Sequence, residues 1–498
     1  MNATHSDLWG KSGEKWDPQG RLPDFSFAGY HSGEQPIPEP QSGISVLDFG
    51  AVGDGQTDCT EAFRRAIAES DGLAIEIPKG QFIISDILWI RKPNVVLRGE
   101  GSKNTIILPT TKLEMVRPRM SSTTEGLKTS SYSWSGGFIW IHGQLEHKPI
   151  TKITAEAVRG AQILTVKDTS GLNAGQMVTI QMEDSGDASI IRHLYVDDEW
   201  ENIEDLSLYQ RTTFVTRIQH IRGKQIILER FLPFDIRLEW NAEIMTFAPE
   251  VTECGIENLS IKFPTEPYGG HFKEWGMNAV AIDEAAHCWV RDVEIHNADS
   301  GIFLKSHFST IDGLTLTSNR PKTEGDAGHH GVSFSNHSQD NLLQNFDFQT
   351  RFIHDITVEN GANGNVVKRG RGLDLSLDHH RLCPNRNLFT QVDVGKGESV
   401  WRFGGGPRRG KHTGRGATFW GISSQKAISH PGPEFGPEEV NFVGLDSQGP
   451  SSKDISGLWW EAIPSEGLQP SDLHQAQLTR RLQKSSSEDP DSFKTYRV

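Results

Sequence analysis

The thirteen residues RGRGLDLSLDHHR gather Arg369, Arg371, Asp374, Asp378, His379, His380 and Arg381. A Gly-rich stretch, WRFGGGPRRGKHTGRG, follows with Arg402, Arg408, Arg409, Lys411, His412 and Arg415. Upstream, GHHGVSFSNHSQDN contributes His329, His330, His337 and Asp340, RFIHD contributes His354 and Asp355, Glu359 follows it, and Lys305 precedes all of these blocks. Elimination from a uronic-acid polysaccharide needs a cation or Ca²⁺ to neutralise the sugar carboxylate, a base for the C5 proton and an acid for the departing oxygen. These residue types supply all three. His380 or His337 is the candidate base, Arg381, Arg402 or Lys305 the candidate cation, and Glu359 and Asp378 are candidate metal ligands or partners that orient a histidine. Arg369, Arg371, His330, His354, His379, Arg408 and Arg409 are candidate substrate contacts. A Ca²⁺ site would need several converging oxygens. The rival chemistry is hydrolysis by two carboxylates, Glu359 with Asp378 or Asp355 with Asp374, set one or two coils apart. Taken singly, each histidine is more often structural than catalytic.

What must position these groups is a repeat. From Val251 onward the chain aligns to itself: CGIENLSI, CWVRDVEI, STIDGLTL, NLLQNFDF, NVVKRGRG and NLFTQVDV begin at Cys254, Cys288, Ser309, Asn341, Asn365 and Asn387. These starts lie 34, 21, 32, 24 and 22 residues apart, a coil of about 22 residues lengthened twice by loops. The rhythm continues through Ala417 and Val440. In a parallel stack with coils about 4.8 Å apart, such a column can ladder its Asn amides, so Asn341, Asn365 and Asn387 read as structure. A second strand column, AVAID, GIFLK, GVSFS, DITVE, DLSLD and VWRFG, predicts inward pairs. They are Val280 with Ile282, Ile302 with Leu304, Val332 with Phe334, Ile356 with Val358, Leu375 with Leu377, and Trp401 with Phe403. Its edge then carries Asp283, Lys305, Ser335, Glu359, Asp378 and Gly404, and two residues on stand His307, His337 and His380. His330 and His354 share a repeat position and are expected to stack.

Val46 to Ser70, VLDFGAVGDGQTDCTEAFRRAIAES, reads as a short strand, a Gly-rich turn and an amphipathic helix capped by Thr57 or Asp58, with Ala62, Phe63, Ala66 and Ile67 on one face. This stretch resembles the opening of pectate-lyase-superfamily proteins, and LAIEIPKGQFIIS and PNVVLRGEGS fit that family's first coils. The resemblance implies a right-handed β-helix shared by lyases, polygalacturonase-like hydrolases and phage tailspikes. The hydrolases' Asn-x-Asp, Asp-Asp and Gly-His-Gly set is only approximated by Gly328, His329, His330 and Gly331, which places lyase ahead of hydrolase. GRLPDFSFAGYHSGEQPIP, SQDN, RFIHD, RGRGLDL and DHHR are similar to a domain of unassigned role in pectate-lyase-like proteins of polysaccharide-degrading bacteria.

The expected fold is all-β: a right-handed single-stranded parallel β-helix with a cap helix and an inserted antiparallel module. The predicted divisions are an N-terminal extension (1–43), cap and first coils (44–145), the module (146–247), the main coils (248–450) and a C-terminal cap with a polar tail (451–498). Within the module, DDEWENIEDLSLYQ is expected to form an acidic, aromatic loop over the groove. The 50 Gly and 24 Pro suit a turn-rich β architecture. A net charge of −15 argues against general nucleic-acid binding, and no apolar run is long enough for a membrane span. Cys59, Cys254, Cys288 and Cys383 read as buried thiols, with a Cys254–Cys288 disulfide left open. The chain opens MNATHSDLWG, without a signal segment. It is therefore either intracellular or, as a polysaccharide substrate implies, secreted or periplasmic with its leader absent from this chain. The functional expectation is a monomeric lyase of an acidic polysaccharide, uronate-containing or sulfated. The alternatives are a glycoside hydrolase and a tailspike-like glycan binder without turnover.

Overall fold

The computed structural model describes residues 3–123, 125–196, 206, 211–321, 325–446, 454–455 and 458–487. The acidic stretch 197–210, apart from Leu206, and the polar tail after Ser487 lie outside the described residues. The chain winds as a right-handed parallel β-helix. Among the described residues its long sheet has seventeen strands, and its repeat matches the self-alignment residue for residue. Trp289, Thr310, Leu342, Val366, Leu388, Thr418, Asn441 and Trp459 each donate their N–H, at 2.9–3.0 Å, to the carbonyls of Cys254, Cys288, Ser309, Asn341, Asn365, Asn387, Ala417 and Val440. One residue further, Ile256, Val290, Ile311, Leu343, Val367, Phe389, Phe419, Phe442 and Trp460 stack inward and are all buried. Burying each such side chain contributes about 1.5–3 kcal/mol, and stacking makes the core continuous.

The column's amides form the expected ladder. Asn365 Oδ1 accepts from Asn341 N and Nδ2 at 3.0 and 2.9 Å, and Asn387 Oδ1 accepts from Asn365 N and Nδ2 at 3.1 and 3.0 Å. Cys254 and Cys288, earlier in the column, are buried free thiols, as are Cys59 and Cys383. The cap helix Thr60–Glu69 buries Ala62, Phe63, Ala66 and Ile67 as the pattern requires, and Asp58 accepts from the Thr60 N–H and hydroxyl.

A first sheet closes the other side of the coil. Its parallel strands Leu88–Ile90, Ile139–His142, Asn278–Ala286, Ser300–His307, His330–Phe334, His354–Val358 and Leu377–His379 pair in that order. Here the structure corrects the register at the last strand. Leu377, not Leu375, pairs with Ile356, and His379 pairs with Val358. VWRFG forms no strand either: Trp401 and Phe403 lie in a turn, half-buried against the core.

Between the first coils and Val251, six antiparallel strands enclose a separate apolar core that includes Ile180, Phe214, Phe234 and Trp240. The module docks on the coils through buried Arg230, whose guanidinium grips Asp340 with two hydrogen bonds, one of 3.0 Å. The C-terminal helix Leu473–Ser487 does not cap an end of the stack. It lies along the outside of the long sheet, because Leu342, Val366, Leu388, Trp420 and Val443 form an outward apolar column that needs cover. The helix and the N-terminal residues Trp9, Leu22, Phe25 and Ala28 supply it.

Candidate active site

The first sheet's last coils build the site. On its outer side, Ser333, Thr357 and Asp378 follow one another in register. Asp378 is fully buried and held from several sides. Its Oδ2 accepts from His380 Nδ1 at 2.8 Å and from the Thr357 hydroxyl at 3.3 Å, while Oδ1 accepts from Gly404 N at 2.7 Å. His354 Nδ1 lies 3.1 Å from the same Oδ2, off the line of a hydrogen bond. Burial opposes the Asp378 charge, yet the two imidazoles hold its pKa well below the usual carboxylate range. Burial likewise pushes His380 down, but Asp378 outweighs it and the imidazole ends above its ordinary value.

Three further rings join these two. His330 stacks on His354 at 5.1 Å and on His329 at 4.1 Å, and His271 meets His329 edge-on at 4.7 Å. The expected His330–His354 stack is therefore present. Gly331 permits this approach, since a Cβ there would stand 2.3 Å from the Asp355 carbonyl oxygen. Burial pushes His329 and His330 well below the ordinary histidine value and His271 to about 4. Behind His329 Nδ1, at 3.3 Å, stands Glu274, which accepts from the Ser133 and Tyr268 hydroxyls and is pushed up to about 7 by burial.

The Gly-rich stretch folds over the site. A Cβ on Gly404 would lie 2.0 Å from His380 Cε1 and 2.7 Å from His354 Cε1, so only glycine lets this backbone pass. Arg381 spends its guanidinium holding that loop, donating to the Gly405 and Gly410 carbonyls and meeting His412 Nε2 at 3.1 Å. Arg409 approaches Glu359 at 3.6 Å, and both act electrostatically on His380. Arg402 pairs with Asp326 at 3.2 Å and donates to the Phe352 carbonyl, at the opposite end of the His354 strand. Arg408 is exposed on the loop.

Several candidates lie elsewhere. His379, expected to touch substrate, points into the core among Phe389, Phe419 and Phe435 and is fully buried, so that assignment is corrected. The two-residue register shift extends the strand through His379, and alternation with Leu377 then points its ring inward. Arg369 and Arg371 project from the long sheet, where Arg371 pairs with Asp347 at 2.8 Å and Arg369 donates to Gln344. They line an open polar groove there with Gln391, Asp393 and Glu466. His337 packs against Gly361 at the coil corner and feels Arg211 of the inserted module. Lys305 pairs in register with Asp283, two strands before the His354 strand. Asp355 and Asp374 bind backbone amides and serine hydroxyls at turns, an anchoring arrangement unlike a hydrolytic pair. Imidazoles crowd Asp378 while Glu359 faces Arg409, so the oxygen-rich cage that Ca²⁺ prefers is not what these residues form. Sequence reasoning passed over His271 and Glu274, which sit on the 264–277 excursion between coils and share no repeat position; its Gly, His and aromatic content was the available signal.

Residues 43–207 match the family described as rhamnogalacturonase A/epimerase, pectate lyase-like. The match covers the cap and first coils of the parallel β-helix and runs into the inserted module. A pre-neck appendage protein of Bacillus phage B103 is 33% identical over 129 residues, 25% of this chain and 14% of that protein. The chain thus matches about a seventh of that relative's length. Among solved structures, tailspike gp49 of Pseudomonas phage LKA1 is similar over 81% of this chain and 64% of that one, at 15% identity and TM-score 0.48. A family 28 exopolygalacturonase of Yersinia enterocolitica is similar over 83% of this β-helix chain and 67% of its own, at 14% identity and TM-score 0.32.

Proposed function

We propose that this protein cleaves an acidic polysaccharide by β-elimination on the outer face of the first sheet. The observation that carries the reading is the Asp378–His380 pair: a buried carboxylate fixed from several sides holds His380 by Nδ1 at 2.8 Å, leaving Nε2 as the proton-transfer atom of a ring that is 16% exposed. Arg409, beside it, is suited to pairing with the sugar carboxylate and stabilising charge that develops there. In the step, His380 takes the C5 proton, the C–H electrons form the C4–C5 double bond, and the C4–O bond breaks. The departing oxygen is then protonated. The anchoring roles of Asp355 and Asp374 favour elimination over two-carboxylate hydrolysis. A polysaccharide substrate also supports action outside the cytoplasm, in keeping with a secreted or periplasmic protein.

Incubation with a panel of uronate and sulfated glycans tests this. Ultraviolet absorbance of an unsaturated uronate end, lost in His380→Ala, is the expected result. Reducing ends without that absorbance would replace elimination by hydrolysis, and binding without any product would leave a glycan-attachment protein.

A further inference from the structure

The histidines beside the Asp378–His380 pair have no work in that reaction. His271, His329 and His354 converge so that one ligand nitrogen of each lies within 4.8 Å of the others. We propose that these three imidazoles bind a first-row transition metal ion, of which Zn²⁺ is the type, in a site with an open coordination position. The inference rests on the first sheet's outer face being the reactive one, and adds a resident metal beside it.

Three observations carry it. Nε2 of His354 is buried and without a hydrogen-bond partner among the described residues, and leaving a buried nitrogen so is unfavourable. A bound metal turns that loss into a ligand bond. Second, each buried imidazole has a carboxylate at its Nδ1: Glu274 Oε1 lies 3.3 Å from His329 Nδ1, and Asp378 Oδ2 lies 3.1 Å from His354 Nδ1. A carboxylate behind the ring is what orients a metal-binding histidine and raises its basicity, leaving the other nitrogen for the ion. Glu274 is itself fixed by Ser133 and Tyr268. Third, His271 sits on the exposed 264–277 excursion, stacked on Phe272 at 3.7 Å, so the third ligand comes from the solvent side.

The donor set selects the ion. Three imidazoles suit Zn²⁺ and its neighbours, with metal–nitrogen bonds of about 2.0–2.1 Å, whereas Ca²⁺ and Mg²⁺ take oxygen. Three protein ligands leave a fourth position for water or a ligand oxygen, such as a sugar hydroxyl or carboxylate. The overlapping group His354, Asp378 and His380 is the competing location. We place Asp378 behind His354 because its other contacts already hold it to Thr357, His380 and Gly404.

The test uses the untagged full chain, stripped with a chelator and titrated with Zn²⁺ alone or Co²⁺ alone, without glycan. Calorimetry should give one ion per chain, and Co²⁺ should develop the visible absorption of a nitrogen-ligated, low-coordinate site. His271→Ala, an exposed change that spares the core, should weaken binding at least tenfold. Glu274→Gln should weaken it by about 10–100-fold, as expected for a group behind a ligand. Absence of stoichiometric Zn²⁺ binding would overturn the proposal, as would His271→Ala binding like the unaltered chain. A protein that binds Zn²⁺ yet cleaves no glycan would retain this site and lose the lyase reading. Cleavage by a chain that binds no metal would do the reverse.

Discussion

His380 Nδ1 lies 2.8 Å from Asp378 Oδ2 on the outside of the coil, while His379, the residue between them, faces the opposite way into the aromatic core. Strand alternation separates two adjacent histidines into one that is positioned for proton transfer and one that packs. Substitution should separate them too. His380→Ala should lower turnover about a hundredfold or more, the usual worth of a positioned acid or base, and also lower the unfolding midpoint, because buried Asp378 loses one of its partners. His379→Phe should keep turnover, since it replaces a buried ring among phenylalanines. Initial rates on the responsive glycan and a thermal melt of each variant decide this; equal losses of activity would remove His380 from the reaction.

That alternation also explains how much of the site was legible beforehand. The long-sheet column was readable because Cys254, Cys288, Ser309 and the three Asn begin strands spaced by a coil of about 22 residues that loops lengthen only twice. The stretch LDLSLDHH was not, because Leu373, Leu375 and Leu377 repeat with period two, and a two-residue shift leaves such a pattern unchanged. The register is fixed by a tertiary fact instead: Asp374 is tied to the Glu398 and Ser399 amides, which keeps Leu375 in the turn and starts the strand at Leu377. Asp378 therefore aligns with Thr357 rather than Glu359. His271 and Glu274 reach the cluster through the fold of an excursion that no repeat encodes.

Gly404 offers a steric test of the covering loop. Gly404→Ala would drive a methyl group to 2.0 Å from His380 Cε1, so either the ring or the loop must move. Activity should fall at least tenfold while stability changes modestly, because the loop lies outside the stacked strands. Unchanged kinetics would show that the loop does not position His380.

The Asn ladder should be the more costly place to cut. Asn365→Ala removes the acceptor of two Asn341 donors and the amide bonding Ser338 O and Asn387 Oδ1, all in the buried interior. Stranding these groups should cost about 2–4 kcal/mol, read as a lower urea midpoint. A loss below about 0.5 kcal/mol, the range of an ordinary surface change, would mean that backbone bonds alone hold the column.

A buried ion pair is one of the contacts that dock the inserted module on the coils. Asp340→Ala leaves the Arg230 guanidinium buried between Phe27 and Phe214 without its carboxylate, a change expected to cost about 3–5 kcal/mol. Hydrogen exchange should speed first in the module strand Arg211–Arg222, whose Val215 carbonyl accepts from Arg230. Uniform acceleration along the whole helix would place the pair's effect on global stability rather than on docking.

Acid sensitivity follows from histidines away from the site. Burial holds His287 and His337 down at about 4 and His307 at about 3, against an ordinary value near 6.5. The native protein keeps these rings neutral, whereas the unfolded chain protonates them once the pH drops through about 6.5. Unfolding must therefore take up protons in that window, and stability, complete above it, falls as the pH goes from about 6.5 towards 4 at no more than about 1.4 kcal/mol per pH unit for each ring. Carboxylates with lowered values add their own loss only at lower pH, whereas Glu274, pushed up to about 7, and Asp355, pushed up to about 6, take up protons in the native state and offset part of the histidine loss. Urea unfolding followed from pH about 6.5 to about 5 should show the midpoint dropping steadily. A flat profile would mean that these three rings are solvated or already protonated in the native protein.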